Sequence, residues 1–247
     1  MSMSRILGAE TLDGLAEDDP TAMRSRRDLR RVHRAMGTGV IVRRALRHLI
    51  ASRPQDAPLR VLELGAGDGS LMLGVARSLA PIWPNVELTL LDRQALVERA
   101  TVEGYAALGW TAATQVVDVL DWAASPTESR PGGITTARWD LIIANLFLHH
   151  FEGPQLAALL GAIAARADRF FACEPRRAWL ALAGSHLLGA IGANAVTRED
   201  AVLSVRAGFR ANELAAVWPA GGGAWQLQEY PAGLFSHCFR AARIEAN

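Results

Sequence analysis

The run Val61-Leu-Glu-Leu-Gly65-Ala-Gly67-Asp-Gly69-Ser70 sets three glycines at alternate positions among two carboxylates, Glu63 and Asp68. Glycines let a backbone approach a ligand with no Cβ in the way, and the unpaired N–H groups of a helix opening near Leu71 suit a carboxylate or phosphate, so this is a binding turn for a nucleotide-like ligand. The spacing is Gly-x-Gly-x-Gly, with Ser70 standing where a dinucleotide fingerprint carries its third glycine. Glu63 discriminates further, because a carboxylate facing pyrophosphate is repelled whereas one beside an ammonium is attracted. Asp92 lies about twenty residues beyond the glycines, the separation a βαβ unit requires. Of the six histidines, His149 and His150 alone follow a sheet strand in this half of the chain, and a histidine there is suited to accept a proton near neutral pH.

Positioning these groups calls for short apolar runs alternating with amphipathic segments, the pattern of β-α units around a parallel sheet. The strand expectations are 60–64, 87–91, 113–118, 141–146 and 169–173, with helices over 71–79, 93–108 and 155–166 and a less regular 122–138. Two final strands, 225–229 and 234–241, are joined by a turn at Tyr230-Pro-Ala-Gly233. The expected fold is α/β, a doubly wound, mostly parallel seven-stranded sheet with a C-terminal antiparallel β-hairpin and a helical cap. We divide the chain into an N-terminal helical cap over 1–55 and a main domain over 56–247, with a helical lid insertion about 177–218.

The cap contains two helices between Asp28 and Ile50, broken at Gly37-Thr38-Gly39. Arg26, Arg27, Arg30, Arg31, Arg34, Arg43, Arg44 and Arg47 lie off its apolar stripe, a solvated face by default; His33 and His48 share that expectation. In the lid, Ala178–Ile191 is helical, Thr197-Arg-Glu-Asp200 opens a helix as a capping-box variant, and a further helix covers 211–217. Gly221-Gly222-Gly223 is a loop.

Composition removes several functions. The 247 residues, 50% hydrophobic and 21% charged, can bury a substantial core. The formal charge of +1 provides no field for a polyanion, so nucleic acid is not expected as a partner. All 26 cationic residues are arginine; without lysine there is no Schiff base and no Walker A loop. Cys173 and Cys238 are not spaced for zinc or a disulfide framework, and no metal site is expected. No segment has the length of a membrane span and the start lacks a secretory pattern, so no membrane partner and a cytoplasmic location are expected. Oligomeric state is open, a homodimer being one possibility.

Four motifs in order resemble those of the class I S-adenosylmethionine (SAM) dependent methyltransferases, of the small-molecule, quinone- and O-methyltransferase-like kind. The glycine turn resembles motif I; Leu88-Thr-Leu-Leu-Asp92 resembles motif II; Val116-Val-Asp118-Val119 resembles the adenine-binding motif; and Trp139-Asp-Leu-Ile-Ile-Ala-Asn145-Leu-Phe-Leu-His149-His150-Phe151 resembles motif IV. The resemblance implies SAM as cofactor, with S-adenosylhomocysteine (SAH) as product. It implies cofactor contacts from Glu63, Gly65, Ala66, Gly67, Asp68 and Gly69, from Asp92 and Arg93 at the ribose, from Asp118 and Val119 at the adenine, and from Asn145 and Leu146 near the sulfonium. Asp121 competes with Asp118 for the adenine role.

Methyl transfer dissipates the sulfonium charge, so positioning contributes more than a base, about 7–11 kcal/mol against the 10²- to 10⁴-fold of general base catalysis. His150, and then His149, are the catalytic candidates, against an equally weighted structural role. Glu174, Arg176 and Arg177 follow the fifth strand and face either substrate or solvent. His186 either lines a lid or packs; His237 is structural. A lid rich in Ala, Leu, Val and Gly fits a small apolar or aromatic acceptor, phenolic, quinone-like or polyketide-derived, with oxygen methylation favoured over carbon. Two alternatives stand beside this reading: a SAM-binding protein without transfer, and an NAD-dependent oxidoreductase.

Overall fold

Asp19 accepts the N–H groups of Thr21 and Ala22, and Pro20 occupies the first helical turn, so the chain enters a helix there, earlier than its periodicity suggested. The computed structural model describes residues 3–50, 57–126, 138–221 and 224–244. The elements run α1 (Thr11–Gly14), α2 (Pro20–Met36), α3 (Thr38–Leu49), β1 (Leu59–Leu64), α4 (Ser70–Leu79), β2 (Val86–Asp92), α5 (Arg99–Ala106), β3 (Trp110–Val116), α6 (Val119–Ala124), β4 (Leu141–Asn145), α7 (Gly153–Arg166), β5 (Arg169–Pro175), α8 (Trp179–His186), α9 (Ala195–Ala207), α10 (Glu213–Val217), β6 (Trp225–Ala232) and β7 (Ser236–Arg243). A 3-10 turn at Leu148–His150 follows β4 and another at Leu188–Ile191 follows α8. Gly37, with φ 69°, ends α2 and starts α3, a left-handed junction that favours glycine. The cap–domain boundary near 51–56, residues 127–137 of the irregular stretch 122–138 and the glycines at 222–223 lie outside the described residues.

The seven strands form one sheet in the order β3-β2-β1-β4-β5-β7-β6. The first five are parallel and β7 joins β5 and β6 antiparallel, the expected mixed, doubly wound sheet closed by a hairpin. Strand alternation divides the core into two layers. Val61, Leu88, Ile143 and Phe171 pack against α3, α4 and α5, while Leu62, Leu64, Ile142 and Phe170 pack on the opposite side with residues of α6 and α7. The strand order reverses between β1 and β4, and the crevice outside their carboxyl ends is where a doubly wound sheet receives a ligand.

Three local expectations are corrected. β3 starts at Trp110, which is anchored by its Nε1–H donating to the Trp83 carbonyl and by stacking on Trp83 and Tyr105, and it stops at Val116. Asp118 therefore lies past the strand and caps α6, accepting the Leu120 N–H at 2.7 Å. The α9 cap is Asn194, which accepts the Thr197 N–H; Thr197 lies within the helix and Asp200 accepts N–H groups from elsewhere in the chain. Asn at the position preceding a helix competes as well as Thr for the free N–H groups, so local spacing alone did not separate them.

Candidate active site

The carboxyl ends of β1, β2 and β4 open onto a cavity of about 1020 Å³ that is roofed by the segment before α2, by α2 itself and by α8 and α9. Every expected cofactor residue except Gly69 lines it: Glu63 from β1, Gly65, Ala66, Gly67 and Asp68 from the β1–α4 turn, Asp92 and Arg93 at and just beyond the end of β2, Asp118 and Val119 at the start of α6, and Asn145 and Leu146 at and just beyond the end of β4. Gly69 instead stands in the left-handed conformation just before α4 and its carbonyl accepts the Tyr105 hydroxyl.

The turn is built around close approaches. Gly65 has φ 66°, and a Cβ there would fall 2.2 Å from the Phe147 ring. Gly67 has φ 56° with nothing within 4 Å of where a Cβ would lie, so its backbone faces open cavity. The Gly67 N–H donates to Asp92 Oδ2 at 2.8 Å and the Gln94 N–H to Asp92 Oδ1 at 3.0 Å, fixing that carboxylate at the end of β2. Leu146, at φ 51°, is a non-glycine residue held in the left-handed region beside the cavity; such strain costs of order 1–3 kcal/mol and clusters at binding sites.

Glu63 occupies a position whose strand neighbours are all apolar. It is 2% exposed. Asn145 Nδ2 donates to its Oε1 at 3.2 Å, while Glu63 Oε2 and Asn145 Oδ1, both buried, have no hydrogen-bond partner among the described residues. Burial pushes the Glu63 carboxyl up to about 8, with the negative Asp68 and Asp92 adding to the shift and the Asn145 hydrogen bond opposing it. Two buried oxygens without partners on adjacent strands are costly unless a bound group completes them; once Glu63 gives up its proton both accept, and this fits the ammonium of the amino-acid end of SAM to the residues present.

The histidine pair divides. His149 is buried, with Nδ1 2.8 Å from Glu174 Oε2 and Nε2 3.4 Å from Glu10 Oε1. Burial alone lowers its pKa, but the hydrogen bonds and charges of Glu10 and Glu174 outweigh burial and raise it to about 9. Both ring nitrogens of His149 thus face carboxylates, the arrangement of an ion-paired anchor, which is the structural one of its two expected roles. His150, tilted against His149 with ring centroids 4.2 Å apart, is lowered instead, by burial and then by the charge on His149. It stays neutral and able to accept a proton. Glu10, His149 and His150 each offer an atom within 4.8 Å of one another, and the ion pairs account for that grouping.

Glu174 is likewise corrected. It neither meets solvent nor lines the cavity; fully buried, it accepts the N–H groups of Phe147, Leu148 and His149 and so shapes the turn that carries both histidines. Arg177 is buried against the carbonyls of Met3 and Gly208 and pairs with Glu213. His186 is exposed, and His237 is buried 2.8 Å from Glu229 as a structural residue. On α2 the solvated-face expectation fails for the half-buried Arg26 and His33, which line the cavity, Arg26 reaching Gln94 and burial lowering His33 to about 4; Arg30 is exposed as expected, yet it also borders the cavity and pairs with Asp68 at 2.9 Å. Sequence reasoning missed Glu10 and Asp13, because nothing in a short polar segment ahead of the first long helix signals which cleft it will cross.

Residues 38–228 match the sequence family described as "Methyltransferase domain". The chain belongs to the methyltransferase domain family. The class I SAM-dependent methyltransferase resemblance drawn from the motifs accords with that family. Solved structures to which this methyltransferase is similar include an O-methyltransferase family protein from Burkholderia thailandensis (14% identity, TM-score 0.60, covering 94% of this chain and 62% of that one). Others are the plantazolicin methyltransferase BpumL in complex with SAH (12%, 0.56, 92% of each chain) and the magnesium protoporphyrin IX methyltransferase ChlM from Synechocystis PCC 6803 with bound SAM (14%, 0.51, 95% and 88%). The chain spans less than two thirds of the Burkholderia protein's length. At such identities the likeness is one of fold. No protein of curated function matches the sequence significantly.

Proposed function

We propose that this methyltransferase transfers the SAM methyl group to a hydroxyl of a small apolar or aromatic acceptor, of phenolic, quinone-like or polyketide-derived type, with His150 as the base. The observation that carries the donor side is the pair of unpartnered acceptors, Glu63 Oε2 and Asn145 Oδ1, beside a glycine turn whose Gly67 backbone is open to the cavity. In this reading Glu63 and Asn145 hold the SAM ammonium, the β1–α4 turn accommodates its carboxylate, Asp92 accepts the ribose hydroxyls, and Asp118 with the Val119 backbone meets the adenine. When bound, SAM supplies an activated methyl group on a positively charged sulfur.

The acceptor side rests on the rest of the lining. Leu29, Val32 and Met36 of α2, Leu187, Leu188 and Ile191 after α8 and Phe235 from the β-hairpin all line the cavity that His150 also lines, and give it an apolar portion. A neutral imidazole at its edge takes the proton of an acceptor hydroxyl as that oxygen attacks, which favours oxygen over carbon methylation. The near-absence of excess charge argues for a small molecule in place of nucleic acid, and no described helix is long and apolar enough to cross a membrane.

Calorimetric titration with SAM, SAH and NAD, followed by transfer of labelled methyl to a panel of phenols, hydroxyquinones and polyketide-like enols, tests the proposal. Tight SAH binding with label recovered as a methyl ether is the expected result. Label on carbon would reverse the atom preference; SAH binding without transfer to any acceptor would favour a binding protein, and NAD binding in place of SAH an oxidoreductase.

A further inference from the structure

We propose that the amino-terminal strap, residues 3–19, is a working part of the active site: Asp13 is a positioning residue for the His150 ring, and Glu10 latches the strap shut on His149. The inference rests on the methyl-transfer reading for the purpose of His150, but its geometry stands by itself.

The strap has almost no core of its own, its only helix being the four residues of α1, none of them buried. It is held across the cavity mouth by polar contacts to several elements, with Arg177 after β5 and Arg26 of α2 donating to the Met3 and Glu17 carbonyls. On α9, Asp200 accepts the N–H groups of Thr11 and Leu12 at 2.8 and 2.9 Å, and Ser204 bonds Glu10. After β4, Arg5 donates to the carbonyls of His149 and Phe151, and Glu10 faces His149 Nε2. After β2, Gln94 donates to the Leu15 carbonyl, the Ala95 N–H to Glu17, and Arg93 reaches Asp13. Contacts of this kind are individually weak in water and reversible together, which suits a cover that must open for cofactor exchange.

The strap brings two carboxylates to two histidines in register. Glu10, 13% exposed, completes a line Glu10–His149–Glu174 in which the imidazolium lies between two carboxylates. Three residues on, Asp13 Oδ2 stands 3.5 Å from His150 Nδ1, and its other oxygen 3.5 Å from Arg93. Asp13 thus joins the end of β2, where Asp92 lies, to the histidine after β4. A carboxylate at Nδ1 selects the tautomer that keeps its proton there and leaves Nε2 free to accept one. The distance exceeds a hydrogen bond, as such contacts commonly do before the substrates are in place. The groups facing His150 are Glu10 and Asp13 from the strap, His149 beside it and Glu174 from β5, with Asp200 of α9 behind Glu10; truncating Asp13 leaves the others in place.

The test uses the full chain with 15N-labelled histidine, free and with SAH, in which two-bond nitrogen–proton correlations report the tautomer and pKa of each ring. Wild-type His150 is expected to carry its proton on Nδ1. Asp13→Ala is expected to mix the tautomers and lower the His150 pKa by about 1, the effect of losing one nearby opposite charge, with His149 signals unmoved and Asp13→Glu restoring the wild-type pattern. Glu10→Gln is expected to accelerate amide exchange over residues 5–19 roughly tenfold while the sheet amides stay protected. An unchanged His150 tautomer and pKa in Asp13→Ala overturns the positioning role, and unchanged strap exchange in Glu10→Gln overturns the latch. SAH affinity of the same samples reports separately on the methyl-transfer reading.

Discussion

Glu63 and Asn145 meet across the β1–β4 switch point, the amide of Asn145 donating to the carboxyl of Glu63 at 3.2 Å, and each keeps one oxygen without a partner among the described residues. The two residues lie on adjacent parallel strands, at the point where the sheet order turns back on itself. Cofactor binding and proton binding are coupled there.

Because burial holds the Glu63 carboxyl up at about 8 in the free protein, binding an ammonium beside it requires loss of that proton. SAM binding at pH 7 is expected to release close to one proton, and affinity to rise with pH toward 8. Calorimetry in two buffers of different ionisation enthalpy measures the release; Glu63→Gln should abolish it and weaken binding. Equal heats in both buffers for the wild type would refute the coupling.

The same carboxyl makes the free protein less stable as pH rises. A folded-state value above the ordinary 4.5 means the native state holds more protons than the unfolded chain between pH 4.5 and about 8, so stability falls through that window. His149, raised from 6.5 to about 9, contributes stability that is complete below 6.5 and lost as pH climbs through 9. Stability from urea unfolding of the free protein should therefore decline from pH 6.5 to 9, since below 6.5 the lowered His33 and His150 oppose Glu63, and Glu63→Gln should flatten the curve up to about 8. A curve that rises over this range would contradict both assignments.

Gly65→Ala and Gly67→Ala separate folding from binding. At Gly65 the new methyl group would collide with Phe147 in a left-handed backbone, and overpacking plus that conformation should cost about 2–5 kcal/mol. At Gly67 the methyl group meets open space, so only the conformational cost of about 1–2 kcal/mol applies. Thermal melts should rank them in that order, while SAH affinity should fall sharply in Gly67→Ala despite the milder destabilisation.

The two histidines should fail differently. His150→Gln is expected to fold normally and bind SAH while turnover drops by about 10²- to 10⁴-fold, the range of a general base. His149→Gln breaks a buried ion pair and should cost stability of about 3–5 kcal/mol, visible in urea midpoints before any kinetics. A His150→Gln variant with full turnover would remove the base from the mechanism.

Prolonged dialysis against a chelator should leave SAH affinity and methyl transfer unchanged, since Glu10, His149 and His150 are engaged with one another and with Glu174. Loss of activity that returns with a divalent cation would show that these atoms hold a metal.

The sheet and the cofactor side of the cavity were legible in the sequence because their signals are local. Short, nearly continuous apolar runs mark β1 and β4 as strands buried on both faces, a glycine at Gly67 announces a backbone that must stay uncovered, and Asp92 falls where one βαβ unit must end. What only the tertiary structure decided is everything that depends on which distant segment covers a charge. His149 and His150 are identical and adjacent in the chain, yet Glu174 from β5 and Glu10 from the strap raise the pKa of one, while burial and the charge of that neighbour lower the other. The arginines of α2 carry no mark separating Arg30, which meets Asp68, from those that face water. Electrostatic environment is set by burial and by partners far away in sequence, and neither is written in the residues that experience it.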